Sequence, residues 1–167
     1  MSDPVGGHMV IVDVASLAWD GAGSLDLESL AVQAVVAALA GAAVERRAEV
    51  GVRLTDDAEI RSLNRQWRDR DAATNVLSFP LDDDNAGGDG AVMLGDVVVA
   101  YETVVAEASR DGKSLSDHLT HLVVHGVLHL VGFDHEQANK AEEMEALERR
   151  ILAGLDVPDP YADSEAA

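Results

Sequence analysis

Three histidines lie close together in the stretch HGVLHLVGFDH, which covers residues 125–135. His125 and His129 are four residues apart, and on a helix this spacing brings two Cβ atoms to about 5–6 Å from each other. Two imidazole nitrogens can then bind one Zn²⁺ ion at roughly 2.0–2.1 Å. His135 follows Gly132, and a glycine at a helix end can turn the chain back. The spacing therefore predicts a zinc site formed by His125, His129 and His135.

The remaining polar residues near this stretch have less defined roles. Three protein ligands leave one zinc position open, which is typical of a catalytic site. His118 and His121 share the helix stripe, but a fourth imidazole would close the site, so we expect them to support the ligands or to lie at the surface. Asp134 could orient His135, accept a proton or cap the turn.

One position argues against a peptidase. The pattern H-x-x-x-H-x-x-G-x-x-H is shared with the metzincin zinc peptidases, in which a glutamate follows the first histidine. That glutamate is the general base of peptide hydrolysis. Here the position is Gly126, which cannot accept a proton. We therefore expect a metzincin-like zinc helix that does not cleave peptides.

The elements that position these residues follow from hydrophobic periodicity. Alternating β-branched runs predict strands, and apolar runs with helical spacing predict helices. Thr55 is the expected N-cap of the second helix. The strands and helices are interspersed without a regular βαβ alternation, which favours the α+β class. The predicted strands are 9–16, 48–54, 75–80 and 91–100, and the predicted helices are 26–44, 55–67, 101–110, 116–130 and 136–152.

Length and composition indicate a single domain. The chain has 167 residues, of which 47% are hydrophobic, and no cysteine. The absence of cysteine excludes disulfides and thiolate metal sites and agrees with a cytoplasmic location. We assign residues 9–157 to one domain, residues 1–8 to a flexible N-terminus or a remnant of an expression vector, and residues 158–167 to a flexible acidic tail. The apolar run 26–44 is too short and too rich in small residues to span a membrane.

The net charge of −19 argues against broad, non-specific binding of nucleic acid, which depends on neutralising phosphates. A substrate with phosphate groups would need a local basic patch. Four arginines supply one, since Arg61, Arg65, Arg68 and Arg70 fall within ten residues. We expect the helix that carries them to face the zinc cleft at its C-terminal end.

Three segments together resemble one family. HGVLHLVGFDH, NRQWRDRDAATNVLSFP at 64–80 and LGDVVVA at 94–100 look like the corresponding segments of the YbeY family of bacterial ribosomal-RNA maturation endoribonucleases, in the expected order. One departure is Phe133, where that family often has tyrosine. The third segment contains Asp96, for which we expect a structural role as a hydrogen-bond acceptor near a buried turn.

The resemblance implies a zinc-dependent, single-strand-specific endoribonuclease that matures the 3′ end of small-subunit ribosomal RNA and acts in ribosome quality control. It also implies an α+β fold with a small mixed sheet packed against helices. The family's zinc ligands correspond to His125, His129 and His135, and its active-cleft arginine corresponds to Arg68. Arg68 could donate two hydrogen bonds to a phosphate, or it could form a surface salt bridge with Asp69 or Asp71.

Two other functions stay open at this point. One is a metal-dependent hydrolase of a different substrate such as a peptide, which Gly126 opposes. The other is a ribosome-associated assembly factor with a mainly structural zinc, since an acidic protein suits contact with basic ribosomal proteins. The expected partners are single-stranded RNA and the ribosome or its proteins, with no membrane contact, and the oligomeric state is left open.

Overall fold

The computed structural model describes residues 7–81, 91–133 and 138–161. The loop 82–90, which the sequence predicts to be a solvated turn-rich segment, lies outside these residues. Asp134 and His135 lie outside them too. None of the helices in the described part of the chain is long and apolar enough to cross a membrane.

The centre of the fold is a four-stranded mixed sheet. Strands β1, β2 and β4 run parallel to one another, and β3 pairs antiparallel with β4 at the edge of the sheet. The order across the sheet is β1-β2-β4-β3. This arrangement confirms the predicted small mixed sheet. The strands are β1 (Met9–Val14), β2 (Ala48–Thr55), β3 (Val76–Pro80) and β4 (Val92–Ala100).

Five α-helices surround the sheet in the described residues, and the predicted helices are confirmed in place and type. Their bounds are α1 (Leu27–Gly41), α2 (Asp57–Arg68), α3 (Tyr101–Asp111), α4 (Leu115–Leu130) and α5 (Ala138–Gly154), and a 3-10 helix covers Leu17–Ala22.

The N-cap prediction for α2 was wrong by one residue. Asp56 is the cap, and its carboxylate accepts a hydrogen bond from the Glu59 backbone N–H at 2.9 Å. Thr55 stays in β2, where it is buried and pairs with Ala100. Thr55 is therefore the last residue of β2, and the N-cap of α2 falls on the residue that follows it.

Strand β4 separates two helical layers because its side chains alternate between the two faces of the sheet. Val97 and Val99 are wholly buried in the main core, to which α1, α4 and α5 contribute. Val98 and Ala100 point to the other face and pack against Ile60 of α2. The arginine-bearing α2 and the histidine-bearing α4 thus lie on opposite faces, and both reach the edge strand β3.

Both ends of the predicted domain make contacts. His8, in the segment assigned to the N-terminus, is buried, and its Nδ1 accepts a hydrogen bond from the Ala48 N–H at 3.1 Å. Residues 158–161 of the assigned tail are described. Among them, Asp159 pairs with Arg149 at 3.3 Å, and Tyr161 contacts α5.

Candidate active site

Helix α4 positions the histidines. Ser114 caps it by accepting a hydrogen bond from the Asp117 N–H at 3.0 Å. One face is buried in the core, and the stripe that carries His121, His125 and His129 is only partly exposed. The Nε2 atoms of His125 and His129 lie 3.1 Å apart. The four-residue spacing therefore brings the two ring nitrogens together, as the sequence predicts.

A buried carboxylate lies within hydrogen-bond distance of two of these imidazole rings. Glu148, on α5, has no solvent exposure. One of its oxygens lies 2.8 Å from His125 Nδ1, and the other lies 2.8 Å from His121 Nε2. The Tyr161 hydroxyl donates to the second oxygen at 2.7 Å. Glu148 was not predicted from the sequence, because nothing in the charged run of α5 distinguishes it from neighbouring glutamates. The helical period could have pointed to it, because Glu148 falls on the same face of α5 as the buried residues Met144, Leu147 and Ile151.

The carboxylate is held in its charged form. Burial alone would raise the pKa of Glu148, but the hydrogen bonds with His121 and His125, together with the charge of these rings when they are protonated, outweigh burial and lower it to about 2. The pKa of Tyr161 is raised by burial and by the adjacent Glu148 charge. Glu148 is therefore a hydrogen-bond acceptor on both oxygens at neutral pH.

Two groupings of side chains could hold a metal ion. His121, His125 and Glu148 place one ligand atom each within 4.8 Å of one another. In that grouping the oxygens of Glu148 are buried and already accept three hydrogen bonds. The second grouping uses Nε2 of His125 and of His129, which face a cleft. It has the better access for both metal and substrate.

The end of α4 has the shape that the sequence predicts for a third ligand. Gly132 adopts a φ of 109°, a conformation that side chains disfavour. The N–H groups of Val131 and Gly132 bond back to the last helical carbonyls, and Phe133 donates to Leu128 O at 3.0 Å and packs on the core. His135, the predicted third ligand, and Asp134 lie outside the described residues, so their predicted roles stay predictions.

An open cleft of about 560 Å³ lies in front of the histidines. It is lined by residues of α2, β3 and α4 and of the loops beside them. These residues are Arg68, Thr74, Asn75, Val76, Leu77, Ser78, Pro80, His125, His129, Gly132 and Phe133. The C-terminal end of α2 therefore reaches the same cleft as the histidines, as expected.

Arg68 is positioned by the edge strand. It donates a hydrogen bond to the Ser78 carbonyl at 2.5 Å, and its guanidinium carbon lies 5.7 Å from the centre of the Phe79 ring. Within the described residues Arg68 forms no salt bridge with Asp69 or Asp71, and Asp71 pairs instead with Arg61 at 2.8 Å.

Gly126 occupies the position of the peptidase general base, and it also lets α4 pack closely against the sheet. A Cβ at this position would lie 2.6 Å from Val97 Cγ1 and 3.2 Å from Ser78 Oγ. The Ser78 hydroxyl also donates to the Gly126 carbonyl at 2.9 Å. Helix α4 approaches the sheet so closely here that a glutamate side chain has no space. The peptidase base is thus excluded by packing.

Two secondary predictions need correction. Asp96 lies exposed on β4, where it pairs with Gly51 and Phe79 in the sheet, and its side chain accepts no hydrogen bond from the described residues. Within that part of the chain it is therefore not an acceptor for a buried turn. His118 is buried rather than at the surface. Its Nε2 lies 2.9 Å from Glu107, and burial lowers its pKa although Glu107 opposes this shift. His121 supports His125 through Glu148, which agrees with one of the two expectations for it.

A histidine pair that can hold a metal ion and an arginine that can bind a phosphate line one cleft of this α+β fold, which suits an enzyme that acts on phosphate esters. A model of the family described as Endoribonuclease YbeY matches residues 20–156. The chain belongs to this family. Its membership confirms the resemblance seen in the sequence and the predicted enzyme class, a nuclease that hydrolyses RNA phosphodiester bonds.

Individual relatives agree with this assignment. The chain is 56% identical over 141 residues to an Endoribonuclease YbeY of Azorhizobium caulinodans, a match that covers 82% of this chain and 87% of that protein. It is 52% identical over 145 residues to one of Rhodopseudomonas palustris, which covers 85% and 84% of the two chains. The solution structure of TM1509 from Thermotoga maritima is 25% identical, with a TM-score of 0.55 over 91% of this chain and 98% of that one. These likenesses confirm the α+β fold.

Proposed function

We propose that this chain is a zinc-dependent, single-strand-specific endoribonuclease. It binds one zinc through His125, His129 and His135, and it acts in 3′-end maturation of small-subunit ribosomal RNA and in ribosome quality control. The observation that carries the proposal is the pair of Nε2 atoms 3.1 Å apart on the wall of a cleft that Arg68 also lines. Family membership supports the reaction class.

The histidine pair fits zinc. Two bonds of 2.0–2.1 Å at a tetrahedral angle place their nitrogens about 3.3 Å apart, close to the separation found here. Three imidazoles without a thiolate are a typical ligand set of catalytic zinc. Zinc bound there supplies Lewis acidity and lowers the pKa of water to about 7.

Arg68 binds the substrate phosphate. One of its terminal nitrogens is oriented by the Ser78 carbonyl, and the guanidinium has further N–H groups for phosphate oxygens. The planar guanidinium can donate two hydrogen bonds at once to two oxygens of one phosphate. The positive charge also favours the extra negative charge that develops as the phosphorus becomes pentacoordinate.

The lining of the cleft suits a single strand. Asn75 and Thr74 supply polar groups, and Leu77, Pro80 and Phe133 supply apolar contact. Unpaired bases can pack on apolar side chains, whereas the bases of a duplex are stacked on each other and cannot. With a net charge of −19, the protein holds phosphate at this small site, and the acidic remainder suits contact with basic ribosomal proteins.

Cleavage of a labelled single-stranded RNA under single-turnover conditions tests the proposal. We expect chelator-sensitive cleavage of the single strand, little cleavage of the matching duplex, and loss of both zinc and activity in His129→Ala. Co-sedimentation with ribosomes, run in parallel, tests the ribosomal role. Zinc and ribosome binding without any RNA cleavage would instead favour an assembly factor with a structural zinc.

A further inference from the structure

Three polar atoms of neighbouring side chains lie within hydrogen-bond distance of the Glu148 carboxylate. One oxygen faces His125 Nδ1, and the other faces both His121 Nε2 and the Tyr161 hydroxyl, all within 2.7–2.8 Å. The side chain is wholly buried. An ionised carboxylate only accepts hydrogen bonds. Each ring nitrogen that faces Glu148 must therefore carry a proton.

This requirement decides the tautomer of His125. A neutral imidazole carries one proton, so a proton on Nδ1 leaves a lone pair on Nε2. The Nε2 of His125 is the atom that faces His129 and the cleft. A metal ion binds the lone pair and not the N–H, and the partner of the second ring nitrogen sets which nitrogen is available.

We propose that Glu148 is a positioning residue that holds His125 in its Nδ1–H tautomer and aims Nε2 at the metal, with His121 and Tyr161 fixing the carboxylate from its other side. This inference rests on the proposed zinc site. Glu148 is not itself a ligand, because both of its oxygens are buried and accept hydrogen bonds. His121 is likewise turned towards Glu148 through its Nε2.

The variant Glu148→Gln tests the inference because it replaces one of the two hydrogen-bond acceptors at this position with a donor. A carboxamide keeps one acceptor and replaces the other with an NH₂ donor. The amide oxygen takes the position where two donors, His121 and Tyr161, converge. The NH₂ group then faces His125 Nδ1, and His125 can only accept this hydrogen bond by moving its proton to Nε2.

The first measurement needs no metal. Nitrogen-15 shifts of the histidine rings, recorded on metal-free protein at alkaline pH, report which ring nitrogen carries the proton. We expect His125 to be Nδ1–H in the parent and Nε2–H in Glu148→Gln. Glu142, an exposed glutamate on the same helix, provides the control, and Glu142→Gln should leave His125 as in the parent.

The second measurement is zinc affinity by chelator competition. Loss of such a supporting carboxylate weakens metal binding by roughly 10–100-fold in known sites, and we expect a loss of that order in Glu148→Gln and none in Glu142→Gln. If Glu148→Gln does not fold, Glu148→Asp replaces it. This variant keeps the charge but withdraws the carboxylate from His125, and it should also weaken zinc binding.

The two readouts separate this inference from the proposed function. An Nδ1–H His125 in Glu148→Gln, or zinc affinity equal to that of the parent, overturns the positioning role. Zinc that is absent from the parent, or retained in His129→Ala, overturns the proposed zinc site. In that event the tautomer measurement alone decides whether Glu148 orients His125.

Discussion

Replacing Arg68 tests the proposed phosphate contact most directly. The guanidinium is exposed at the cleft and donates one hydrogen bond to Ser78 O. We expect Arg68→Ala to lose two charge-assisted hydrogen bonds to a phosphate, Arg68→Lys to keep the charge but lose the planar fork, and Arg68→Glu to add repulsion. Zinc content should stay the same in all three variants, because Arg68 lies on α2 and the histidines lie on α4.

The size of the effect follows from the contacts. A hydrogen bond to a charged group contributes about 1.5–3 kcal/mol, and exposure of Arg68 places each bond at the lower end. Two such bonds amount to about 3 kcal/mol, which is roughly a hundredfold in rate. Arg68→Lys retains one contact and should lose roughly tenfold. The cleavage rate of Arg68→Glu should be lower than that of Arg68→Ala.

Folding must be controlled, because Arg68 also contacts the protein. Its position over the Phe79 ring contributes about 0.5–1 kcal/mol at an exposed site, and the bond to Ser78 adds about 1 kcal/mol. Phe79→Leu is the matched control, since it removes the ring contact and leaves the guanidinium in place. Arg65→Ala, an exposed arginine on the same helix, controls for net charge.

The assay is single-turnover cleavage of single-stranded RNA at several salt concentrations, with circular dichroism and zinc analysis on each variant. Parental cleavage by Arg68→Glu would refute the phosphate contact. An equal loss in Arg65→Ala would mean that only the overall charge of α2 matters, and an equal loss in Phe79→Leu would mean that Arg68 acts through packing.

Three further outcomes are expected. His129→Ala should lose most of the zinc and some thermal stability, because ligation ties the turn to the helix; stoichiometric zinc in a His125/His129 double mutant would contradict this. Gly126→Glu should fail to gain peptidase activity and should lose several kcal/mol of stability through overpacking and a buried carboxylate, as read from denaturant unfolding and cleavage of an unfolded protein. RNA binding should weaken with salt along a shallow slope, since few phosphates are neutralised; a steep slope would indicate a broad contact surface.

Much of the fold could be predicted because its signals are local. The alternation of β-branched residues predicts β4, and the periodic apolar run predicts α1 as a largely buried helix. The cap of α2 was missed because Thr55 and Asp56 are adjacent and both suit the position. Only the pairing of Thr55 with Ala100 across the sheet decides between them.

By itself, the sequence determines the part of the site that lies within one helix. The four-residue spacing of His125 and His129 brings their nitrogens together because the helix repeats every 3.6 residues. Glu148 lies 23 residues from His125, and only the packing of α5 against α4 makes them neighbours. The same holds for the approach of Arg68 to the cleft and for the close contact of Gly126 with Val97. A local period cannot predict such contacts, because they depend on how separate elements pack together.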